Sequence, residues 1–213
     1  MKFIDILTTV PPEQASLSFF ASLPCSFPYL NGSSSYQPIT LPSRYKKSDP
    51  SDTFFSETMN TPNTFPHILA FIRKEILRSN RPAWENRDRE QIGPDIVILV
   101  HLGSGGNGFR DTVHGGVLGA LLDEALACCI EFWACQLHNS EPASSETRLR
   151  LYTANLNTSY RAPVESPGII LVHAWLKSRQ GRKWFLAAKI LGEDNRTRAE
   201  ASALWVSERA TAM

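Results

Sequence analysis

One segment constrains this chain more than any other: residues 115–136, which read as a single long helix. Val117, Leu118, Ala120, Leu121, Leu122, Ala125, Leu126, Ala127, Cys128, Ile130, Phe132 and Trp133 spread apolar surface round nearly its whole circumference. A helix apolar on every side must be enclosed by other protein. The material to enclose it lies on both sides. Residues 95–102 form a β-branched apolar run, a strand ahead of the helix. After a polar loop at 137–148 come four more strand patterns, at 152–160, 168–178, 182–191 and 198–206. Turn residues at 178–181 and 192–195 separate the last three. An antiparallel sheet wrapped around one helix is the simplest packing that buries such a helix, so the expected class is α+β. Strict alternation in 152–160 would set Ala154, Leu156, Thr158 and Tyr160 on one face, with Thr153, Asn155, Asn157 and Ser159 on the other.

Composition removes several functions. Lys and Arg number 22 against 21 Asp and Glu, a net charge of +1, which excludes a nucleic-acid binder working by bulk charge. No apolar run reaches the 18 residues of a membrane span. Of four cysteines, Cys128 and Cys129 are adjacent and Cys135 shares their helix, which is poor geometry for a disulfide framework. There is no CxxC pair, no HExxH and no other metal-ligand spacing, so neither a metal nor a cofactor is expected. The first 40 residues hold Lys2 as their one base, and Asp5 and Pro11-Pro12 interrupt any apolar leader, unlike secretory or transit signals. Free thiols and no address point to the cytoplasm.

The composition shifts near residue 92. Residues 1–91, rich in Pro, Ser, Thr and Asn, read as an N-terminal arm without an apolar core of its own. Helical spacing predicts short helices at 13–23 and 66–77, with a loop at 31–52 between them. Residues 92–213 read as the domain that holds the chemistry.

The residues that carry chemistry cluster on the long helix. His114, Gly115 and Gly116 stand at its start, where glycine allows close approach of a ligand to the backbone. Free N–H groups there, with the helix dipole, favour an anion or a developing oxyanion. Asp123 lies mid-helix among apolar residues, a carboxylate that must be paired or put to use. Each residue also has a structural role open to it: a cap for His114, close packing for the glycines, a paired carboxylate for Asp123. His114 and Asp123 are nine residues apart, about 13 Å of rise and half a turn. They cannot both touch one carbonyl from a single helix, so a shared site needs two chains, as a symmetric dimer would supply.

The stretch from His114 to Ala125, HGGVLGALLDEA, resembles the hotdog-fold acyl-CoA thioesterases of the phenylacetyl-CoA thioesterase-like group, whose motif is HGG, six apolar residues, then Asp. The stretch from Tyr152 to Val164 is similar to the TANLNxxYxxPV strand of mammalian members of the thioesterase superfamily. Gly181-Arg182-Lys183 and Ala199-Glu200-Ala201 resemble the closing strands. The resemblance covers about residues 92–207. It implies a hotdog fold, and a hydrolase that cleaves the thioester of an acyl-CoA or of an acyl group on a carrier protein, as a homodimer or dimer of dimers. A place in secondary metabolism of polyketide type accompanies it. Asp123 would be general base or nucleophile. Gly115, helped by Gly116, would polarise the carbonyl. His114 would order the loop or touch the substrate, and Thr153 would position water. Asn107, Arg110 and Asn155 would contact substrate.

Departures qualify the match. Asn107 sits one position off the family's common spacing, and Arg110-Asp111 is an unusual charged pair that would be either a rearranged pocket wall or a surface ion pair. Arg148, Arg150 and Arg161 would meet cofactor phosphates or remain solvated strand-end charges. Two other readings stay open: a dehydratase, isomerase or cyclase on the same scaffold, which Arg110-Asp111 would favour, and a non-catalytic binding subunit. The run Gly103-Ser104-Gly105-Gly106 lacks the GK[ST] of a phosphate loop, and Cys128 and Cys129 have no basic neighbour in sequence to activate a thiolate.

Overall fold

The computed structural model describes residues 9–78, 92–138 and 150–208. In chain order it contains α1 (Gln14–Ala21), α2 (Phe27–Leu30), β1 (Tyr36–Ile39), β2 (His67–Arg73), α3 (Lys74–Arg78), β3 (Ile96–Leu102), β4 (Asn107–Phe109), β5 (Thr112–Val113), α4 (Gly115–His138), β6 (Leu151–Tyr160), β7 (Gly168–Gln180), β8 (Lys183–Gly192) and β9 (Thr197–Ser207). Seven strands form one sheet in the order β1-β2-β3-β7-β8-β9-β6, each pair antiparallel, while β4 and β5 make a separate two-stranded hairpin.

The sheet wraps α4, the hotdog arrangement. Leu118, Leu121, Leu122 and Leu126 are 3% exposed or less. Each contributes roughly 1.5–3 kcal/mol by leaving water. They pack on the inward residues of β3, β7, β8 and β9, including Ile98, Val172, Trp184, Leu186 and Trp205. The other face of the sheet is covered as well. Phe20 of α1, with Leu17 and Tyr29 of the arm, packs on Leu69, Phe71, Val97, Leu99 and Leu171. Buried on both faces, β3 needs the near-continuous apolar run seen in its sequence rather than alternation.

The arm differs from expectation in one element. Residues 66–77 are not a helix: β2 takes His67–Arg73, and only Lys74–Arg78 turns helical. Ile68 to Ile72 are all buried, because β2 lies between β1 and β3 with one face on α4's core and the other under α1. The loop expected at 31–52 contains β1, the edge strand of the sheet. The compositional shift near residue 92 therefore falls between two paired strands. The expected helix at 13–23 is α1.

A buried polar knot ties the layers. Asp95 accepts from Arg73 Nη2 at 2.5 Å, Trp133 Nε1 at 3.1 Å and the Leu176 backbone N–H at 3.0 Å. It joins β2, α4 and β7, with Asp95 1% exposed. The glycine-rich run is a packing device. Gly103 and Gly105 donate their N–H groups to Thr64 and Asn63 carbonyls, and a Cβ on either would stand within 2.7 Å of the Asn63 carbonyl oxygen.

Candidate functional site

The start of α4 is built by its own cap. His114 accepts the first helical hydrogen bonds on its carbonyl, from Val117 and Leu118. Its Nδ1 accepts from the Gly116 N–H at 2.9 Å. That bond assigns the ring proton of neutral His114 to Nε2. It also occupies the Gly116 N–H, the amide that the resemblance made a helper of Gly115. Among the described residues, no acceptor meets the Gly115 N–H, while the Gly115 carbonyl accepts from Tyr160 OH at 2.9 Å. Gly108 is required nearby, since a Cβ there would stand 2.9 Å from the His114 ring and 3.1 Å from its Cα.

Asp123 faces β6. Thr153 Oγ1 donates to Asp123 Oδ1 at 3.0 Å. Burial raises the Asp123 pKa above the ordinary carboxylate range, and the Thr153 hydrogen bond opposes that rise. Thr153 reaches the helix because β6 carries a β-bulge. Thr153 pairs with Trp205, but Asn155 pairs with Leu204, leaving Ala154 as the extra residue. Strict alternation would have placed Thr153 with Asn155. The bulge instead sets Thr153, Leu156, Thr158 and Tyr160 toward α4, and turns Asn155, Asn157 and Ser159 to the opposite face. Asn155 therefore stands away from Asp123 within this chain.

The remaining candidates lie apart from the Asp123–Thr153 pair. Asn107 opens β4, and its side-chain carbonyl accepts from Ser166 Oγ. Arg110 pairs with Asp111 at 3.4 Å with side chains 95% and 75% exposed, so this pair is a surface feature. Arg161 is engaged by Glu200, and Arg150 lies 3.9 Å from Glu208, both at the surface. Arg148 and most of the 137–148 loop lie outside the described residues. All four cysteines are free thiols. Among the described residues, no three His, Cys, Asp or Glu side chains converge as metal ligands, and no helix is long and apolar enough to cross a membrane.

One residue escaped the sequence reading. Glu124, next to Asp123, turns away from β6 toward the arm, where Ser43 faces it. Burial pushes its carboxyl up to about 7, the Ser43 hydroxyl opposes that rise by donating to it, and the nearby carboxylates Asp52, Glu131 and Asp123 add to the rise. Its signal was a second acid in a helix otherwise apolar, but nothing local showed which segment would cover it.

Residues 111–199 match the thioesterase superfamily, a segment that holds the α4 start, Asp123 and Thr153. The chain is 30% identical over 112 residues to acyl-coenzyme A thioesterase THEM4 of Rattus norvegicus, covering 52% of this chain and 42% of that protein. It is 27% identical over 124 residues to the protein of the same name from Bos taurus, covering 58% and 44%. The chain thus spans less than half the length of these curated relatives. Among solved structures, the E. coli PaaI protein from the phenylacetic acid degradation operon is 14% identical, with 55% of this chain and 74% of that one covered and a TM-score of 0.45.

Proposed function

We propose that this chain hydrolyses an acyl-CoA thioester, in a site shared between two copies. The observation that carries the reading is the Thr153 hydrogen bond onto Asp123, a half-buried carboxyl on a helix packed mainly through apolar residues. Asp123 takes a proton from water, and the oxygen attacks the thioester carbonyl. The carbonyl oxygen gathers negative charge in the tetrahedral intermediate and accepts from the Gly115 N–H at the positive end of α4. Collapse breaks the C–S bond, and the proton held by Asp123 passes to the departing sulfur. Acid and thiol leave.

Gly115 and Asp123 are eight residues apart on one helix, about 12 Å of rise, too far to share a carbonyl. Strand β6 suggests how two chains close the gap. It is an edge strand, and its Tyr152 and Tyr160 are 52% and 54% exposed. Thr153 marks the Asp123 end and Tyr160 the Gly115 end. Two β6 edges pairing antiparallel about a two-fold axis between Leu156 and Asn157 would set Thr153 opposite the partner's Tyr160. Asp123 would then face the partner's Gly115, giving two equivalent sites. The four free thiols support a reducing, cytoplasmic setting. A carrier-bound, polyketide-type acyl group is the finer version of the same proposal.

Complementation tests it. Asp123→Asn removes the base, and Gly115→Pro removes one amide at the first helical position, where proline fits. Each variant alone should release little thiol from acyl-CoAs. A refolded equal mixture should recover about a quarter of wild-type activity, since half the dimers are mixed and each holds one intact site. No recovery from mixed dimers of folded variants would overturn the shared site. No thiol release by the wild type from a broad acyl-CoA panel would overturn the hydrolase.

A further inference from the structure

A cavity of about 260 Å³ lies in the arm. Its walls come from residues 10–13 ahead of α1, from the end of β1 and the turn that follows it, and from Asn60 and Ile68. No residue of α4 or β6 lines it, so it is separate from the Asp123–Thr153 pair. Its apolar lining includes Ile39, Leu41 and Ile68, all buried. The walls are held by hydrogen bonds within the chain. Thr40 Oγ1 donates to the Val10 carbonyl at 2.8 Å and fastens residues 10–13 to the sheet edge. Arg44 donates to the carbonyls of Met59 at 3.0 Å and Phe65 at 3.1 Å and fastens its turn to the segment ahead of β2. A cavity formed in advance loses little order when it takes a guest.

Two charged residues line it, Glu13 and Arg44, of opposite sign. Among the described residues neither is in an ion pair, yet each lies within the other's field. The Arg44 guanidinium is half-buried. Burial pulls its pKa down to about 10, against the attraction of the Glu13 carboxylate. A guanidinium has five N–H donors, and the two carbonyls leave several of them open. Glu13 Oε2 accepts from Ser16 Oγ at 3.0 Å, which leaves its other oxygen open. A simple anion on Arg44 would be repelled by Glu13, and a simple cation on Glu13 would be repelled by Arg44. A zwitterion satisfies both, and bridges two charges that do not touch. The volume lies below the roughly 300–1,000 Å³ of sites for drug-sized ligands, so the guest is small. The geometry points to a second binding site, for an α-amino acid with an apolar side chain: its carboxylate on Arg44, its ammonium on Glu13, its side chain against Ile39, Leu41 and Ile68. This site stands independently of the thioesterase reading.

Isothermal titration of the full chain with L-leucine, L-methionine and L-phenylalanine tests it. Each is run beside the same molecule without its amino group and without its carboxylate, which for leucine are 4-methylpentanoate and 3-methylbutylamine. At least one amino acid should bind, and both of its counterparts should bind tenfold or more weakly. Glu13→Gln removes the charge but keeps an acceptor for Ser16. It should weaken the amino acid severalfold and leave the deaminated acid bound as well as before or better. Arg44→Met should abolish binding of the amino acid. Arg44 also holds two carbonyls, so thermal unfolding checks that this variant is folded, and Glu13→Gln decides if it is not. Binding of none of the amino acids overturns the proposal. A deaminated acid that binds as tightly as its amino acid overturns it too, because the cavity then takes simple anions. Amino-acid affinity unchanged by Glu13→Gln assigns the binding elsewhere and overturns it as well.

Discussion

Replacing Thr153 by Val tests the coupling between strand and helix. The two side chains have nearly the same shape, so packing changes little, but the 3.0 Å hydrogen bond to Asp123 Oδ1 is lost. That bond favours the ionised carboxylate, against the burial that disfavours it. Hydrogen bonds to charged groups are worth about 1.5–3 kcal/mol, and one pKa unit is about 1.4 kcal/mol. Thr153 is solvent-exposed and Asp123 only half-buried, so the low end applies, about one unit. The Asp123 pKa should therefore rise by about one further unit. Activity that requires the carboxylate would then appear only at higher pH. The acid limb of kcat/KM against pH should move up by that amount, with about tenfold less activity below the wild-type limb. Carbon-13 NMR titration of the Asp123 carboxyl reads the same shift without substrate. An unmoved or lowered pKa would refute the assignment of this bond as the group that keeps Asp123 ionised. A lowered plateau at high pH, with the pKa shifted, would show that Thr153 positions the water as well.

Other outcomes follow from the same geometry. Asp95→Ala should destabilise the fold by about 3–5 kcal/mol in denaturant unfolding, because Arg73 and Trp133 Nε1 would be left buried without their acceptor. Burial, aided by the Lys189 charge, holds the His173 pKa down at about 4, and its Nε2 meets Tyr29 OH at 3.0 Å. Below the unfolded-state value near 6.5 the unfolded chain binds the extra proton, so stability should fall as pH drops from about 6.5 toward 4. The fall should reach about 3 kcal/mol at most, and His173→Gln should flatten that part of the unfolding profile. Deleting Ala154 should remove the bulge but leave Thr153 opposite Trp205 and facing α4, so thiol release should persist while circular dichroism keeps its strand signal.

The sequence by itself determined the large elements and the spacing of the chemistry. An apolar helix with no polar face had to be enclosed, and the β-branched runs after it were the strands that enclose it. The HGG start and the mid-helix Asp123 were legible because a glycine pair at a helix terminus and a carboxylate among leucines are locally improbable. Their separation along one helix already argued for two chains. What the sequence left open depended on contacts far along the chain. Residues 66–77 carry apolar spacing that a helix would use, yet His67–Arg73 among them pair with β1 and β3, because a strand buried on both faces satisfies its backbone across the sheet and needs no alternation. The face that Thr153 presents was decided by one extra residue, Ala154, whose place exists only in the register between β6 and β9. The enclosure of Glu124 was decided by a turn 80 residues upstream, in the connection between β1 and β2. Periodicity reports which residues seek burial. Pairing register and the docking of distant segments decide what each one is buried against.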